Sequence, residues 1–431
     1  MPEATEPEHS QADPPEPAEP EATPLLAPRD GVPALSVSSS EIHRAAELLD
    51  SGHGPFAVDA ERASGFRYSN RAYLVQIRRA GAGTVLIDPV NHGGDPVATL
   101  APVAEVLATD EWVLHAADQD LPCLAELGMR PTKLYDTELA GRLAGYDKVN
   151  LAAMVQRLLG LQLTKGHGAA DWSKRPLPDE WLNYAALDVE VLIDLRHAVA
   201  AVLEEQGKTD WAAQEFEHLR TYVAPPTRRD RWRRTSGIHK VRDQRALAAV
   251  REMWTARDTI AQRRDIAPGR ILPDAAIVNA ATVDPDTVEQ LTALPVFGGS
   301  RQRRSARVWL DALARARTTP DPPTIHEPPN GPPPASRWAR RKPEAAVRLE
   351  AARAGLVQLS QRVSTPAENI LAPDTVRRLC WDWEPVDDRA GVVEAFLRNA
   401  GARQWQRELT VPVLAGALAA ADAKVQTGEQ T

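Results

Sequence analysis

Between Phe56 and Ile87 the chain spells three short apolar runs, Phe56-Ala57-Val58, Tyr73-Leu74-Val75-Gln76-Ile77 and Thr84-Val85-Leu86-Ile87, separated by Gly, Ser and Asn. Runs of this length and β-branched content are strand-like. Nothing between them has the length and period of a helix, so an antiparallel meander is expected, because parallel neighbours need a long crossover. Trp112-Val113-Leu114 reads as a fourth strand and Leu134-Tyr135 as a short fifth. Helical spacing fills the rest: Leu121–Leu127, Thr137–Leu143, Leu151–Leu159 and a long helix from about Asp179 to Glu205. Three strands followed by alternating helices and strands describe a mixed sheet flanked by helices.

At 431 residues the chain exceeds one hydrophobic core. After Pro225-Pro226 its character changes, and residues 225–271 hold thirteen Arg or Lys against five acids. From Val241 to Ala316 the patterning is helical throughout. A Pro-crowded spacer follows, and a second all-helical block runs from Ala345 to Ala421. The expected division is an acidic disordered tail (1–35), an α/β unit (36–215), a basic linker (216–237), a helical domain (238–318), a Pro-rich linker (319–343), a second helical domain (344–424) and a disordered end (425–431). The helical blocks echo each other. Pro268 with Ile271-Leu272-Pro273-Asp274 in the first matches Pro366 with Ile370-Leu371 and Pro373-Asp374 in the second.

The net charge of −8 is concentrated: residues 1–23 carry seven acids and no Lys or Arg, which leaves the remainder at −1. An acidic, Pro-rich, apolar-poor start of this kind buries too little to order itself. Cys123 and Cys380 are the only cysteines, which fits a reducing compartment and excludes a Cys-based metal site. With no signal-peptide pattern and no apolar run of bilayer length, a cytoplasmic protein is expected.

Four acids and a tyrosine stand out once placed on these elements. Asp59 and Glu61 end the first strand and, two apart, share a face. Asp120 follows the fourth strand at the start of a helix. Tyr184 and Asp188 are four apart on the long helix and stack on one side. Each has a plainer use alone: a solvated strand end, a helix cap for Asp118 or Asp120, core packing for Tyr184. Together they are hard oxygen ligands of the kind Mg²⁺ or Mn²⁺ prefers. Such a set suits two-metal phosphodiester hydrolysis, in which one ion activates the water and the other stabilises the leaving 3′-oxygen. Tyr184 would hold or deprotonate that water. The sequence has no GxxxxGK[ST] loop, HExxH, Cys–His cluster or GxSxG elbow to compete.

These residues carry a resemblance. Phe56-Ala-Val58-Asp59-Ala-Glu61, with Arg67-Tyr68 and Leu74-Val75-Gln76-Ile77, resembles the first motif of the DEDD exonuclease superfamily as found in ribonuclease D. Leu114-His115-Ala-Ala-Asp-Gln-Asp120-Leu121 resembles the second, and Tyr184-Ala-Ala-Leu-Asp188-Val189 the third, in the form that marks the DEDDy branch. Asp136-Thr137, Lys165 and Asp171-Trp172-Ser-Lys-Arg175-Pro176-Leu177 also fit the pattern. The resemblance implies a ribonuclease H-like fold and a 3′→5′ exoribonuclease using two divalent ions, Mg²⁺ or Mn²⁺. It implies Asp59, Glu61, Asp120 and Asp188 as their ligands and Tyr184 as the water-positioning residue. Asp118 lies two residues before Asp120, and the spacing from His115 favours Asp120. Residues 238–317 resemble an HRDC domain, carried by Trp254, Asp258, Asp265-Ile266-Ala-Pro268, Ile271–Asp274 and Leu294-Pro295-Val296-Phe297-Gly298. The block 345–421 would be a second, more divergent copy.

Nucleic-acid contacts are expected from Gln76 and His115 within the motifs and from Lys165 and Arg175 beside them. The cluster of Arg228, Arg229, Arg231, Arg233 and Arg234 around Trp232 suits a phosphate backbone and a stacked base, or else a solvated hinge pinned by Trp232. Of these, Arg231, Trp232 and Arg234 are the candidates. RNA is the expected partner, as a tRNA precursor or other structured RNA with a single-stranded 3′ end. A DNA exonuclease and an inert nucleic-acid-binding protein are the rival readings.

Overall fold

The computed structural model describes residues 22–90, 94–164, 166–221, 230–325 and 331–427. The chain opens with two short strands, β1 (Thr23–Leu25) and β2 (Leu35–Ser36), and helix α1 (Ser39–Asp50). The meander follows as β3 (His53–Arg62), β4 (Ala72–Ala80) and β5 (Gly83–Ile87). Then come α2 (Pro96–Leu107), β6 (Glu111–Leu114), α3 (Leu121–Glu126), β7 (Lys133–Asp136), α4 (Thr137–Leu143) and α5 (Leu151–Leu159). The unit closes with β8 (Leu161–Leu163), α6 (Asp179–Glu190), α7 (Leu192–Glu205) and α8 (Thr209–Thr221).

Six strands form one sheet in the order β2-β5-β4-β3-β6-β7. The β3–β4 and β4–β5 pairs are antiparallel, while β2, β6 and β7 run parallel to their neighbours. The meander and the mixed sheet are as the sequence predicts. Phe56, Val58 and Ala60 alternate into the core under α1 and α2, whereas Ala57 faces the helices of the opposite layer. That alternation turns Asp59 and Glu61 towards α6. The predicted single helix 179–205 is two helices, broken at Val191. No Pro or Gly marks the break.

The predicted tail is wrong beyond residue 21. β1 pairs in parallel with β8, Arg29 meets Glu190 and Asp194, and Asp30 meets Arg78. The acid-rich run stops at Glu21, and in the next fifteen residues Leu25 and Leu35 pack against the cores of the α/β unit. The linker 319–343 likewise ends in structure, with Trp338 fully buried in the second helical unit. The last helix runs to Thr427, past the predicted end.

The first helical unit contains α9 (Gln244–Arg264), α10 (Pro268–Ile271), α11 (Asp274–Val283), α12 (Val288–Ala293), α13 (Ser300–Arg304) and α14 (Ala306–Thr318). The second contains α15 (Trp338–Arg341), α16 (Pro343–Val363), α17 (Ala367–Ile370), α18 (Pro373–Asp382), α19 (Arg389–Asn399) and α20 (Gln404–Thr427). The echo is structural. Helices α9 and α16 are each 21 residues long and end on a left-handed residue, Asp265 (φ 47°) and Ser364 (φ 46°). A four-residue helix, an extended Leu (Leu272, Leu371) and a ten-residue helix follow in both.

Each left-handed corner docks on the α/β unit. Asp265 accepts from the backbone N–H of Tyr68 (3.1 Å) and Ser69 (2.8 Å) and from the Tyr73 hydroxyl. Beside it Arg270 lies over Phe66 and donates to the Gly65 carbonyl. In the second unit the Ser364 carbonyl accepts from Lys208, and Thr365 donates to the Leu143 carbonyl. A Cβ on Gly145 would stand 2.3 Å from that Ser364 oxygen, so only glycine permits the approach.

Asp265→Gly keeps the left-handed turn but orphans two backbone N–H groups, at a cost of about 1–3 kcal/mol. A lower melting temperature and faster limited proteolysis within residues 63–72 are expected. Unchanged cleavage there would mean that the corner does not hold this loop.

Candidate active site

The carboxylates come together from three separate stretches. One oxygen from each of Asp59, Glu61 and Asp188 lies within 4.8 Å of the others. Asp120 joins them beside Asp59, 3.5 Å from the Arg62 guanidinium. It stands at the head of α3 yet makes no capping bond, so its side chain is spent on the cluster. Tyr184 is half-buried one helical turn before Asp188 and bonded to it. The cluster floors a cleft of about 450 Å³ that is also lined by Arg62, His115, Gln119, Glu138, Asn150 and Gly166.

Its electrostatics are strained by proximity. Burial raises the carboxyl groups of Asp59, Asp120 and Asp188 above the usual carboxylate range. Glu61 is pushed up to about 10 by burial and then by the charges of Asp59, Asp188 and Asp120. Burial, with Asp188 and Glu61 nearby, raises Tyr184 as well, so it is a phenol able to donate rather than a phenolate. Four clustered carboxylates, two of them buried, beside one guanidinium and all hard oxygen donors, fit a divalent pair.

The surrounding residues fix the donors. Gln76, opposite Asp59 in the β3–β4 register, is fully buried and donates to Asp59 at 2.5 Å. Asp136 accepts from the backbone N–H of Ala116, Ala117 and Leu139, which pins the turn before Asp120. Burial still holds its carboxyl at about 6. The Thr137 hydroxyl donates to the Leu114 carbonyl, so His115 Nδ1 must donate to Thr137, leaving Nε2 as the acceptor. Burial pushes this ring down to about 4, and it stays neutral. A Cβ on Gly166 would meet the Tyr184 ring at 2.6 Å, so this loop packs hard against the phenol.

The structure thus brings together the five predicted catalytic side chains and His115, and leaves Asp118 exposed outside the cleft. Three predicted nucleic-acid contacts are otherwise engaged. Gln76 is a support for Asp59. Arg175 grips the buried Asp88 with two bonds (2.6 and 2.9 Å) and the Tyr73 carbonyl with a third. Trp232 is 4% exposed within the core of the first helical unit, unable to stack on a base. Arg231 and Arg234 remain exposed. Lys165, Arg228 and Arg229 lie outside the described residues. Arg62 and the bracing role of Asp136 were missed, although an Asp-Thr pair closing a strand does signal a helix cap.

Three family models match the chain: a 3′-5′ exonuclease over residues 36–204, an HRDC domain over 246–313 and a 3′ to 5′ exonuclease C-terminal domain over 331–418. The second helical unit therefore matches a model of its own, not the HRDC model. Ribonuclease D of Acidiphilium cryptum is 33% identical, over 73% of this chain and 80% of that protein. Ribonuclease D of Nitrobacter hamburgensis is 29% identical, over 75% and 80%. Among solved structures, a protein from Bifidobacterium adolescentis matches with TM-score 0.80 at 36% identity, over 93% of this chain and all of that one. Escherichia coli RNase D matches in fold with TM-score 0.62 at 22% identity, over 85% and 98%.

Two outcomes test the site's physics. In chelator, Glu61→Gln should melt above the unsubstituted chain. Its carboxyl is raised from an ordinary value of about 4.3, so its cost grows as pH rises from there towards 10. The gap should therefore widen from pH 5 to pH 8, and Mn²⁺ should narrow it. A gap independent of pH would contradict the burial of charge. Arg175→Ala leaves Asp88 buried and unpaired and should cost about 3–5 kcal/mol. RNA affinity of the folded fraction should stay unchanged, whereas weakened binding would make Arg175 a strand contact after all.

Proposed function

The chain belongs to the ribonuclease D family of 3′→5′ exoribonucleases, which use two divalent cations, and on that premise we propose how its own residues do the work. Asp59, Glu61, Asp120 and Asp188 hold the cations. Tyr184 donates to the attacking water and orients it. The observation that carries this reading is the convergence of Asp59, Glu61 and Asp188 oxygens within 4.8 Å, with the Tyr184 phenol beside them. When bound, the cations supply the positive charge that activates water and stabilises the departing 3′-oxygen.

The rest is positioning. Gln76 fixes the Asp59 carboxylate, and Asp136 fixes the turn that presents Asp120. Neutral His115 lines the cleft wall and is held there by its Nδ1 donating to Thr137. The glycine at 166 lets the loop close on Tyr184. The substrate of this reading is RNA with a free single-stranded 3′ end, a tRNA precursor or another structured RNA. The exonuclease unit, one HRDC unit and a second helical unit divide the chain. No helix among the described residues is long and apolar enough to cross a membrane, and two free buried cysteines suit the cytoplasm.

Asp59→Ala or Asp188→Ala should lower hydrolysis about 100-fold or more while RNA binding persists, and chelator should abolish activity in the unsubstituted chain. Matched RNA and DNA oligonucleotides labelled at the 5′ end separate the rival substrate, since the 2′-OH is what distinguishes them. Near-normal turnover by either variant would remove this site from the reaction.

A further inference from the structure

Among the described residues lining the cleft, Arg62 is the only Lys or Arg. Along β3, Phe56, Val58 and Ala60 enter the apolar core, so period-two alternation assigns residue 62 to that face. The pairing with β4 slips between Glu61 and Arg62, where Leu74 and Ala72 are the partners and Tyr73 is the additional residue. The extra residue lies on β4, so β3 keeps its alternation: Ala63 packs on the α6 side, and Arg62 leaves from the end of the other face. The guanidinium reaches the cleft, one quarter exposed, with Nη2 3.5 Å from Asp120 and 3.4 Å from Gln119.

Both contacts are long, and both use the same nitrogen. A guanidinium has five donors in a planar fork suited to two oxygens of one anion. Asp120 does not supply that partner, and as a member of the cation-holding set it has a competing use for its charge.

We propose that Arg62 is a phosphate-binding residue of this cleft, resting on Asp120 in the free chain and turning to a phosphodiester of the RNA strand when RNA enters. The assignment deepens the exoribonuclease reading and rests on it. A carboxylate turned towards a cation releases most of its hold on a guanidinium, so cation loading and strand capture are coupled through Asp120. The competing role is a fixed counter-ion that offsets Asp120 and never meets RNA. The two differ in what salt does to RNA affinity, because each phosphate neutralised by the protein releases a counterion.

The test uses the full chain with Asp188→Asn to stop turnover, a labelled RNA with a single-stranded 3′ end, and anisotropy titrations over a range of NaCl. Adding Arg62→Gln should weaken binding about 10-fold and lower the salt slope by about 1. Arg62→Lys should restore the slope but only part of the affinity, lacking the fork. With Asp188 intact, Arg62→Gln should raise KM and still bind Mn²⁺ by calorimetry, which separates lost capture from a collapsed site. An Arg62→Gln chain that binds Mn²⁺ yet keeps the original affinity and salt slope overturns the proposal. If the unsubstituted chain degrades no RNA in the same Mn²⁺ buffer, the exoribonuclease reading itself falls.

Discussion

Everything around the cleft answers to one constraint, the repulsion among four carboxylates held together where water is scarce. Burying a single unpaired carboxylate is already costly, and each further one raises the cost for its neighbours. Glu61 shows this most plainly, since three of the five main influences on it are the other acids. A fold keeps such an arrangement only if something else fixes the geometry. Here that is done from behind, by Gln76 on Asp59 and by Asp136 on the turn ahead of Asp120. Neither brace offers positive charge. They hold position without neutralising, and so leave the cluster's field available to cations.

The same logic separates two kinds of arginine. Three buried acids outside the cleft have a close guanidinium: Arg175 on Asp88 at 2.6 Å, Arg348 on Asp422 at 2.8 Å, Arg78 on Glu190 at 2.9 Å. In the catalytic cluster the one guanidinium stands off at 3.5 Å. Glu190 is instructive because it lies two residues after Asp188 on the same helix and is itself buried. It has its arginines, and Asp188 has none among the described contacts. Closing the gap between Arg62 and Asp120 would make a better ion pair and a poorer cation site.

How much the sequence reveals depends on which interactions are local. Asp59 and Glu61 can be read because period two and a strand end place them together. Tyr184 and Asp188 come from one helical turn, and Asp120 from its spacing after His115. The errors have the opposite character. Arg175 looks like a free cation because its partner, Asp88, is 87 residues away. Trp232 looks like a stacking platform because nothing nearby in the chain announces the helical core that swallows it. Residues 22–35 read as tail by proximity to the acids, whereas their order comes from pairing with residues 161–163. The break at Val191 carries no local signal at all.

The helical repeat shows how far shape outlasts chemistry. Asp265 and Ser364 have the same backbone angles within a degree or two, and the short helix and extended Leu after each are alike in length and conformation. Yet one presents its carboxylate to backbone N–H groups and the other its carbonyl to a lysine. A left-handed residue closing a long helix pushes both its side chain and its carbonyl outward, so either can become the docking group once a partner surface is available. The two units share the corner and differ at the contact. The residues the two units share are accordingly Pro, Ile-Leu and Pro-Asp, which build the corner, and not the residues that use it. The first corner grips the loop between Glu61 and Gln76, so the helical unit takes part in holding the strand that carries two of the four acids.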